Sequence, residues 1–316
     1  MRILICDDMF PAMIDTVTRL LTEDEIRVCR QYQVAHEAHW AEVIIPAMAR
    51  ITAEIIHSAP GLRLIQQFGV GLEGVDMAAA ASKGVQVANV PGHEAPVHAE
   101  CTAEGGLFLM MACSRYFKAT QKALVAGEWG RPCGEALIDR KALIIGLGAV
   151  GRALARRLKP MGMEVIASDV VQDKEVAEAL GLAGLYGPES LFDLLPEVDF
   201  VISTVTLSSE TRGLLGREVF SRMKSSAYVI NISRGPIVNE EELLVAIDGG
   251  QIAGAGLDVL NSEPPDPGSA LLNHPKVVIT PHTAGVTEQS FSALGSAVAD
   301  NIKRLKAGQP LKNLAE

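Results

Sequence analysis

Short apolar runs alternate with longer helical patterns along almost the whole 316-residue chain, and this alternation most narrows what it can fold into. Adjacent parallel strands need a long crossover between them, so repeated strand–helix–strand units predict parallel sheets faced by helices. Ile3–Ile5, Val43–Ile45, Leu62–Ile65 and Val85–Ala88 read as strands, and Ala12–Leu21 and Ile51–Ser58 as helices. Asn89-Val-Pro-Gly92 breaks the pattern, Ala95–Cys113 reads as a long buried helix, and a loop around Gly127–Gly134 follows. Strands then recur at Ala142–Ile145, Glu164–Ser168, Asp199–Thr204, Tyr228–Ile232, Ala253–Leu257 and Val277–Thr280. Phe291, Leu294, Val298, Ile302 and Leu305 recur at steps of three and four, which marks one apolar face of a helix over Thr287–Lys306. A first domain of about 95 residues thus precedes a second of about 190, and the last helix has the pattern to pack on either.

Composition removes several function classes. A net charge of −10 lacks the basic face that displaces counterions from nucleic acid. The five cysteines are scattered without CxxC spacing, which argues for reduced thiols in a cytoplasmic protein and against a disulfide framework or a metal site. Met1-Arg-Ile-Leu-Ile-Cys-Asp-Asp reads as a first strand rather than a signal peptide, and no apolar stretch reaches membrane-spanning length. Arg152, Arg156, Arg157 and Lys159, at helical spacing beside apolar residues, read as a solvated face.

Leu143-Ile-Ile-Gly146-Leu-Gly148-Ala-Val-Gly151 carries GxGxxG between an apolar strand and an amphipathic helix, and the next strand ends in Asp169. Alone the motif is weak; its context makes it a dinucleotide fingerprint. Gly146 permits the tight turn, Gly148 lets a pyrophosphate approach the backbone, and Gly151 lets helix and strand pack closely. The helix N-terminus attracts phosphate, and Asp169 accepts bonds from ribose hydroxyls. That carboxylate repels a 2′-phosphate and Val170-Val-Gln172 offers no arginine, so the expected cofactor is NAD. Gly254-Ala-Gly256, inside a strand with no helix after it, reads as close backbone packing.

Three chemistry-bearing residues stand just past strands: Arg234, Glu263 and His282. Ligands of open parallel sheets gather at those carboxyl ends. Reduction of a ketone needs a proton donor, which suits histidine, and a cation to polarise the carbonyl and grip a carboxylate, which suits arginine. A carboxylate beside the histidine stabilises the imidazolium. Each residue alone has a structural reading (a satisfied histidine, a helix-capping arginine, a turn glutamate), but the set after a nucleotide fingerprint reads as a hydride-transfer site.

Together, Gly146–Gly151, Asn231–Pro236, Asp258–Pro264 and Pro281–Gly285 resemble the D-isomer-specific 2-hydroxyacid dehydrogenase family, across nearly the whole chain. Phe68–Asp76 resembles the family's glycine loop, and Asn89–Gly92 its entry to the inter-domain helix. The resemblance implies two doubly wound, Rossmann-like parallel-sheet α/β domains with the active site in the cleft between them. It implies a substrate-binding domain of residues 1–95 plus 290–316, an NAD-binding domain of residues 96–289, and a homodimer. It makes Arg234, Glu263 and His282 catalytic, with Val70 and Gly71 binding the substrate carboxylate through backbone N–H groups. Ala149 and Val150 would lie against the pyrophosphate, Val205, Ser233 and Asp258 would line the cofactor, and Ala284 and Gly285 would meet its nicotinamide end.

The sequence departs from the pattern at Cys101, where many members have histidine, and at Thr206, where proline is common. His93 and His98 flank the expected cleft with no assigned role. The expected substrate is a small 2-keto or 2-hydroxy acid. Where similar 3-phosphoglycerate dehydrogenases carry two arginines this chain has Pro46 and Gln67, which points to an unphosphorylated acid such as glyoxylate or hydroxypyruvate. Three other readings stand beside the small-acid enzyme: an NAD-sensing corepressor-like scaffold, a phosphoglycerate dehydrogenase, and a relative acting on formate or phosphite.

Overall fold

The computed structural model describes residues 1–315 and divides the chain into two compact units. The first comprises Met1–His98 and the stretch from Thr287 onward; the second is Ala99–Val286.

In the first unit β1 (Arg2–Ile5), β2 (Glu25–Val28), β3 (Val43–Ile45), β4 (Leu64–Gln66) and β5 (Gln86–Ala88) form one parallel sheet of order β2-β1-β3-β4-β5. The helix Glu288–Lys306 belongs here. It starts at Thr287, whose side chain accepts the Ser290 N–H at 3.2 Å, and ends in Lys303, Arg304 and Lys306, which complement its dipole. Its buried stripe includes Phe291, Leu294, Val298, Ile302 and Leu305. Gly295 lets it press onto the helix Pro11–Leu20, because a Cβ there would stand 2.4 Å from the Thr16 methyl. Asn301 donates to Gln66 Oε1 at 2.8 Å, tying the helix to the end of β4.

In the second unit β6 (Lys141–Ile145), β7 (Glu164–Ser168), β8 (Gly184–Tyr186), β9 (Phe200–Ser203), β10 (Tyr228–Asn231), β11 (Gly254–Leu257) and β12 (Val277–Ile279) are also all parallel, in the order β12-β11-β10-β9-β6-β7-β8. The central strands β9, β10 and β11 are buried at every residue, as expected for a sheet covered on both faces. One face packs Val201, Val229, Leu257 and Phe220, the other Ile144, Ile202, Leu109 and Leu154. Gly254 and Gly256 give the close packing expected of them: a Cβ on Gly256 would stand 2.9 Å from Leu109 of the helix Pro96–Ser114.

The fold class is thus the expected α/β pair of parallel sheets. Two strands lie outside the sequence expectation. Both β2 and β8 are edge strands. Glu-Ile-Arg-Val in β2 is largely exposed and Gly-Leu-Tyr in β8 is half-buried, so neither carries the apolar run of a strand buried on both faces. The arginine cluster is exposed at Arg156 and Lys159, as expected of a solvated face, and also forms ion pairs that the sequence did not announce. Arg156 and Arg157 pair with Glu100, and Arg157 also with Glu104 at 3.1 Å, which joins the helix Ala149–Leu158 to Pro96–Ser114. No helix among the described residues is long and apolar enough to cross a membrane.

Candidate active site

The strand order of the second sheet reverses between β6 and β9, and the glycine loop leaves β6 at that switch point, where open α/β sheets bind ligands. Gly146 has φ 96°, and a Cβ on it would stand 2.9 Å from Val205 Cγ1. A Cβ on Gly151 would stand 2.1 Å from the Gly146 carbonyl oxygen, so only glycine lets the helix seat against the loop. Gly148 is different: a Cβ there meets nothing within 4 Å, and the residue caps the helix beginning at Ala149. The open space at Gly148 and the N–H groups of that first turn suit a pyrophosphate. Asp169, directly after β7, accepts the N–H of Leu147 at 2.5 Å and of Val171 at 2.7 Å. Its carboxylate is therefore tethered beside the loop and retains lone pairs for hydroxyl donors. Thr204, just past β9, holds the same loop by donating to the carbonyls of Ile145 at 3.1 Å and Gly146 at 2.5 Å. Sequence reasoning passed over Thr204; its signal was a hydroxyl one step beyond a strand.

Arg234, Glu263 and His282 stand on loops past β10, β11 and β12, and a buried frame connects those loops. Asn231 Oδ1 accepts the N–H and hydroxyl of Ser233, at 3.1 and 2.7 Å, and its Nδ2 donates to the Arg234 carbonyl at 2.8 Å. The Asn231 carbonyl accepts the Asp258 N–H at 2.9 Å. Asp258, 3% exposed, accepts Thr280 Oγ1 at 2.6 Å and the N–H groups of Thr283 at 2.8 Å and Ala284 at 3.0 Å. Its own carbonyl accepts the His282 N–H at 2.8 Å. The turn 280–284 is thus wrapped around one aspartate, and within it His282 sits at φ 55°. A left-handed histidine costs about 1–3 kcal/mol and persists because its surroundings over-determine it.

The His282 Nδ1–H donates to Glu263 Oε2 at 2.7 Å, and Glu263 Oε1 accepts the Leu260 N–H at 2.7 Å. This pairing commits the Nδ1 side of the ring to the carboxylate. Arg234 is half-buried, with Nη1 donating to the Ser233 carbonyl at 2.8 Å. Its neighbour Gly235 lies so close to Leu260 that a Cβ would stand 2.0 Å from the Leu260 carbonyl carbon, so the arginine loop is seated on the glutamate loop.

The polar side chains of Ser233 and Asp258, expected beside the cofactor, are committed to this frame. Val205 lies against Gly146, Ala284 is buried and Gly285 half-buried. Gly105 admits the Ala284 backbone, since a Cβ there would stand 2.5 Å from Ala284 Cα; the sequence reading did not single it out. In the first unit Val70 and Gly71 follow β4, with their carbonyls held from behind by Asn89 Nδ2 at 2.7 Å and Gln67 Nε2 at 2.8 Å. Gln67 also donates to the Ala47 carbonyl at 3.0 Å and accepts the Phe68 N–H at 2.9 Å, which makes it the brace of the loop. Among the described residues, the N–H groups of Val70 and Gly71 donate to no protein acceptor. Cys101 is buried, Thr206 and His93 are exposed, and His98 Nδ1 lies 2.7 Å from Ser290 Oγ.

A parallel sheet with this glycine loop at its switch point, and an acid closing the next strand, defines a dinucleotide-binding domain. Residues 107–284 match the sequence profile of the D-isomer specific 2-hydroxyacid dehydrogenase, NAD binding domain. Over 318 aligned residues the chain is 33% identical to a D-3-phosphoglycerate dehydrogenase of Archaeoglobus fulgidus, covering 99% of this chain and 59% of that protein. It is 36% identical over 270 residues to a glyoxylate reductase of Korarchaeum cryptofilum, covering 84% of this chain and 79% of the other. The fold superposes with a TM-score of 0.84 at 28% identity on an NADPH-dependent glyoxylate/hydroxypyruvate reductase from Sinorhizobium meliloti, solved with NADP and malonate, over 99% and 96% of the two chains. The chain belongs to the D-isomer specific 2-hydroxyacid dehydrogenase family.

The open space at Gly148 gives a clean test of the nucleotide site. Gly148→Val, at φ −73°, is compatible with the fold and is expected to leave the melting temperature nearly unchanged. The added side chain should obstruct the pyrophosphate and weaken NADH binding about tenfold or more, read by fluorescence titration. Unchanged affinity would remove the loop from the nucleotide site.

Proposed function

We propose that this protein is an NAD-dependent D-2-hydroxyacid dehydrogenase that interconverts a small 2-keto acid and its D-2-hydroxy acid. The observation that carries the reading is the 2.7 Å His282–Glu263 hydrogen bond, on loops at the carboxyl ends of the sheet that holds the glycine fingerprint. The bound cofactor supplies or takes up the hydride. His282 delivers the proton to the carbonyl oxygen from Nε2, and Glu263 stabilises the imidazolium through Nδ1. Arg234 polarises the carbonyl and pairs with the carboxylate, whose charge is shared with the Val70 and Gly71 N–H groups. Gly146–Gly151 receive the pyrophosphate and Asp169 the ribose. Val205 and the backbone around Ser233 and Asp258 line the cofactor, and Ala284 and Gly285 meet its nicotinamide end. In this reading residues 1–95 plus 290–316 form the substrate-binding domain and residues 96–289 the NAD-binding domain. The five cysteines, all free thiols, support a reducing, cytoplasmic setting.

The reading favours NAD because Asp169 would face a 2′-phosphate with like charge, and the exposed Val170 and Val171 beside it offer no cation. It favours an unphosphorylated acid because Pro46 cannot bind a phosphate dianion and the Gln67 amide is occupied in bracing its loop. Loss of each charge-assisted bond costs about 1.5–3 kcal/mol. The two reductases similar to this chain accord with that reading. A homodimer is part of the proposal, supported by exposed Phe108, Met111, Phe117, Leu124, Val125 and Trp129, which are close in sequence and more apolar than a solvated surface needs. Sedimentation velocity should give twice the chain mass, and a monomer at micromolar concentration would refute it.

Steady-state oxidation of NADH and NADPH over glyoxylate, hydroxypyruvate and 3-phosphohydroxypyruvate tests cofactor and substrate together. NADH with an unphosphorylated acid should give the highest catalytic efficiency, by about tenfold or more over the phosphorylated acid. Preference for the phosphorylated acid would refute the substrate assignment, equal use of NADPH the cofactor assignment, and absence of turnover would favour the scaffold reading.

His282→Gln is expected to remove most turnover while sparing NADH binding. Glu263→Gln, which loses the carboxylate that accepts the His282 Nδ1–H, should lower kcat about tenfold with NADH binding retained. A wild-type kcat in a folded Glu263→Gln enzyme would dissociate the pair.

A further inference from the structure

The turn that presents Glu263 has an anchor that the proposed chemistry does not use. Leu260 and Asn261 offer consecutive N–H groups. The first is accepted by Glu263 Oε1, and the second by the carboxylate of Glu240 at 2.6 Å. Glu240 opens the helix Glu240–Asp248, only six residues after Arg234. The segment between them meets the same turn twice more. Gly235 allows a backbone approach to Leu260 and Asn261 that any Cβ would block, and the Asn261 side-chain amide donates to the Val238 carbonyl at 3.4 Å.

A cavity of about 200 Å³, lined by Glu240, Leu260, Ser262, Asp266 and Leu271 among others, lies beside the turn. At that cavity the Glu240–Asn261 bond ties the start of the helix to the turn. Burial pushes the Glu240 carboxyl above the usual range and the like charge of Glu263 adds to this, although the Asn261 N–H acts the other way. A carboxylate kept at this cost beside a second one has a use if its oxygen is needed as an acceptor.

We propose that Glu240 is a positioning residue: its carboxylate locks the Glu263-bearing turn onto the Arg234-bearing segment and so sets the spacing between the cation and the acid–base pair. This rests on the dehydrogenase reading for its kinetic consequence, but not for its structural one. Glu240 touches no reacting atom. It acts through Asn261, and any side chain of similar length with an acceptor oxygen should serve.

The test compares Glu240→Ala and Glu240→Gln in the full-length protein by two readouts. Hydrogen exchange over residues 258–264 reports the turn with no need for activity. It should accelerate in Glu240→Ala and stay near wild type in Glu240→Gln, because the glutamine oxygen still accepts the Asn261 N–H. In steady state with NADH and glyoxylate or hydroxypyruvate, Glu240→Ala should lower kcat by about tenfold to a hundredfold with little change in KM or NADH affinity. Glu240→Gln should restore most of that loss. Unaltered exchange in Glu240→Ala would overturn the proposal whatever the kinetics. Altered exchange with unchanged kcat would overturn its positioning role, as would failure of glutamine to rescue. A wild-type protein that reduces no 2-keto acid would instead overturn the dehydrogenase reading, and the exchange result would still decide whether Glu240 holds the turn.

Discussion

One buried carboxylate sets the order of the candidate site. Asp258, with 3% of its surface exposed, keeps its charge away from water only because a hydroxyl and two backbone N–H groups converge on it. An unpaired buried charge would cost several kcal/mol, so the turn 280–284 must stay folded around the aspartate. That obligation holds His282 in a backbone region it would otherwise avoid. The Asp258 main chain extends the constraint to both sides, through its N–H to Asn231 and its carbonyl to the His282 N–H. Asn231 in turn governs Ser233 and the Arg234 carbonyl. His282 and Arg234 are thereby parts of one hydrogen-bonded frame rather than independent side chains on separate loops.

This frame explains why a parallel sheet is a useful base for the chemistry. Strands β10, β11 and β12 end side by side, so short loops from each reach the same edge without long connections. Two glycines make the loops fit: Gly235 seats the arginine loop on the glutamate loop, and Gly105 admits the backbone of the histidine turn. The glycine fingerprint leaves the same sheet edge at the reversal of strand order, with Thr204 and Asp169 holding it. Attachment of each candidate group to this frame suits the proposed reaction, in which small displacements cost large factors in rate.

The sequence made legible what depends on local pattern. Strands buried on both faces announce themselves as apolar runs, and the terminal helix by its stripe from Phe291 to Leu305. The edge strands β2 and β8 were silent because half-exposed strands need no such run. Arg234, Glu263 and His282 stood out because each follows a strand and suits a known step of carbonyl chemistry. What could not be read was the wiring. Asp258 was expected to line the cofactor, and nothing local showed that its carboxylate also serves residues more than twenty positions away. Gln67 looked like a missing arginine, yet it is the brace of a loop. Thr204, Gly105 and Glu240 drew no attention at all. Their roles lie in partners distant in sequence, and a single chain carries no local mark of such pairings.

The claim that Asp258 fixes the histidine turn for catalysis is tested most directly by the single-turnover rate of keto-acid reduction in Asp258→Asn, at saturating NADH. Asparagine keeps the size but replaces one acceptor oxygen with an N–H₂ that faces donors. The turn should loosen, and the rate should fall by about a hundredfold or more even with cofactor bound. A folded Asp258→Asn protein that reduces its acid at close to the wild-type rate would contradict the account.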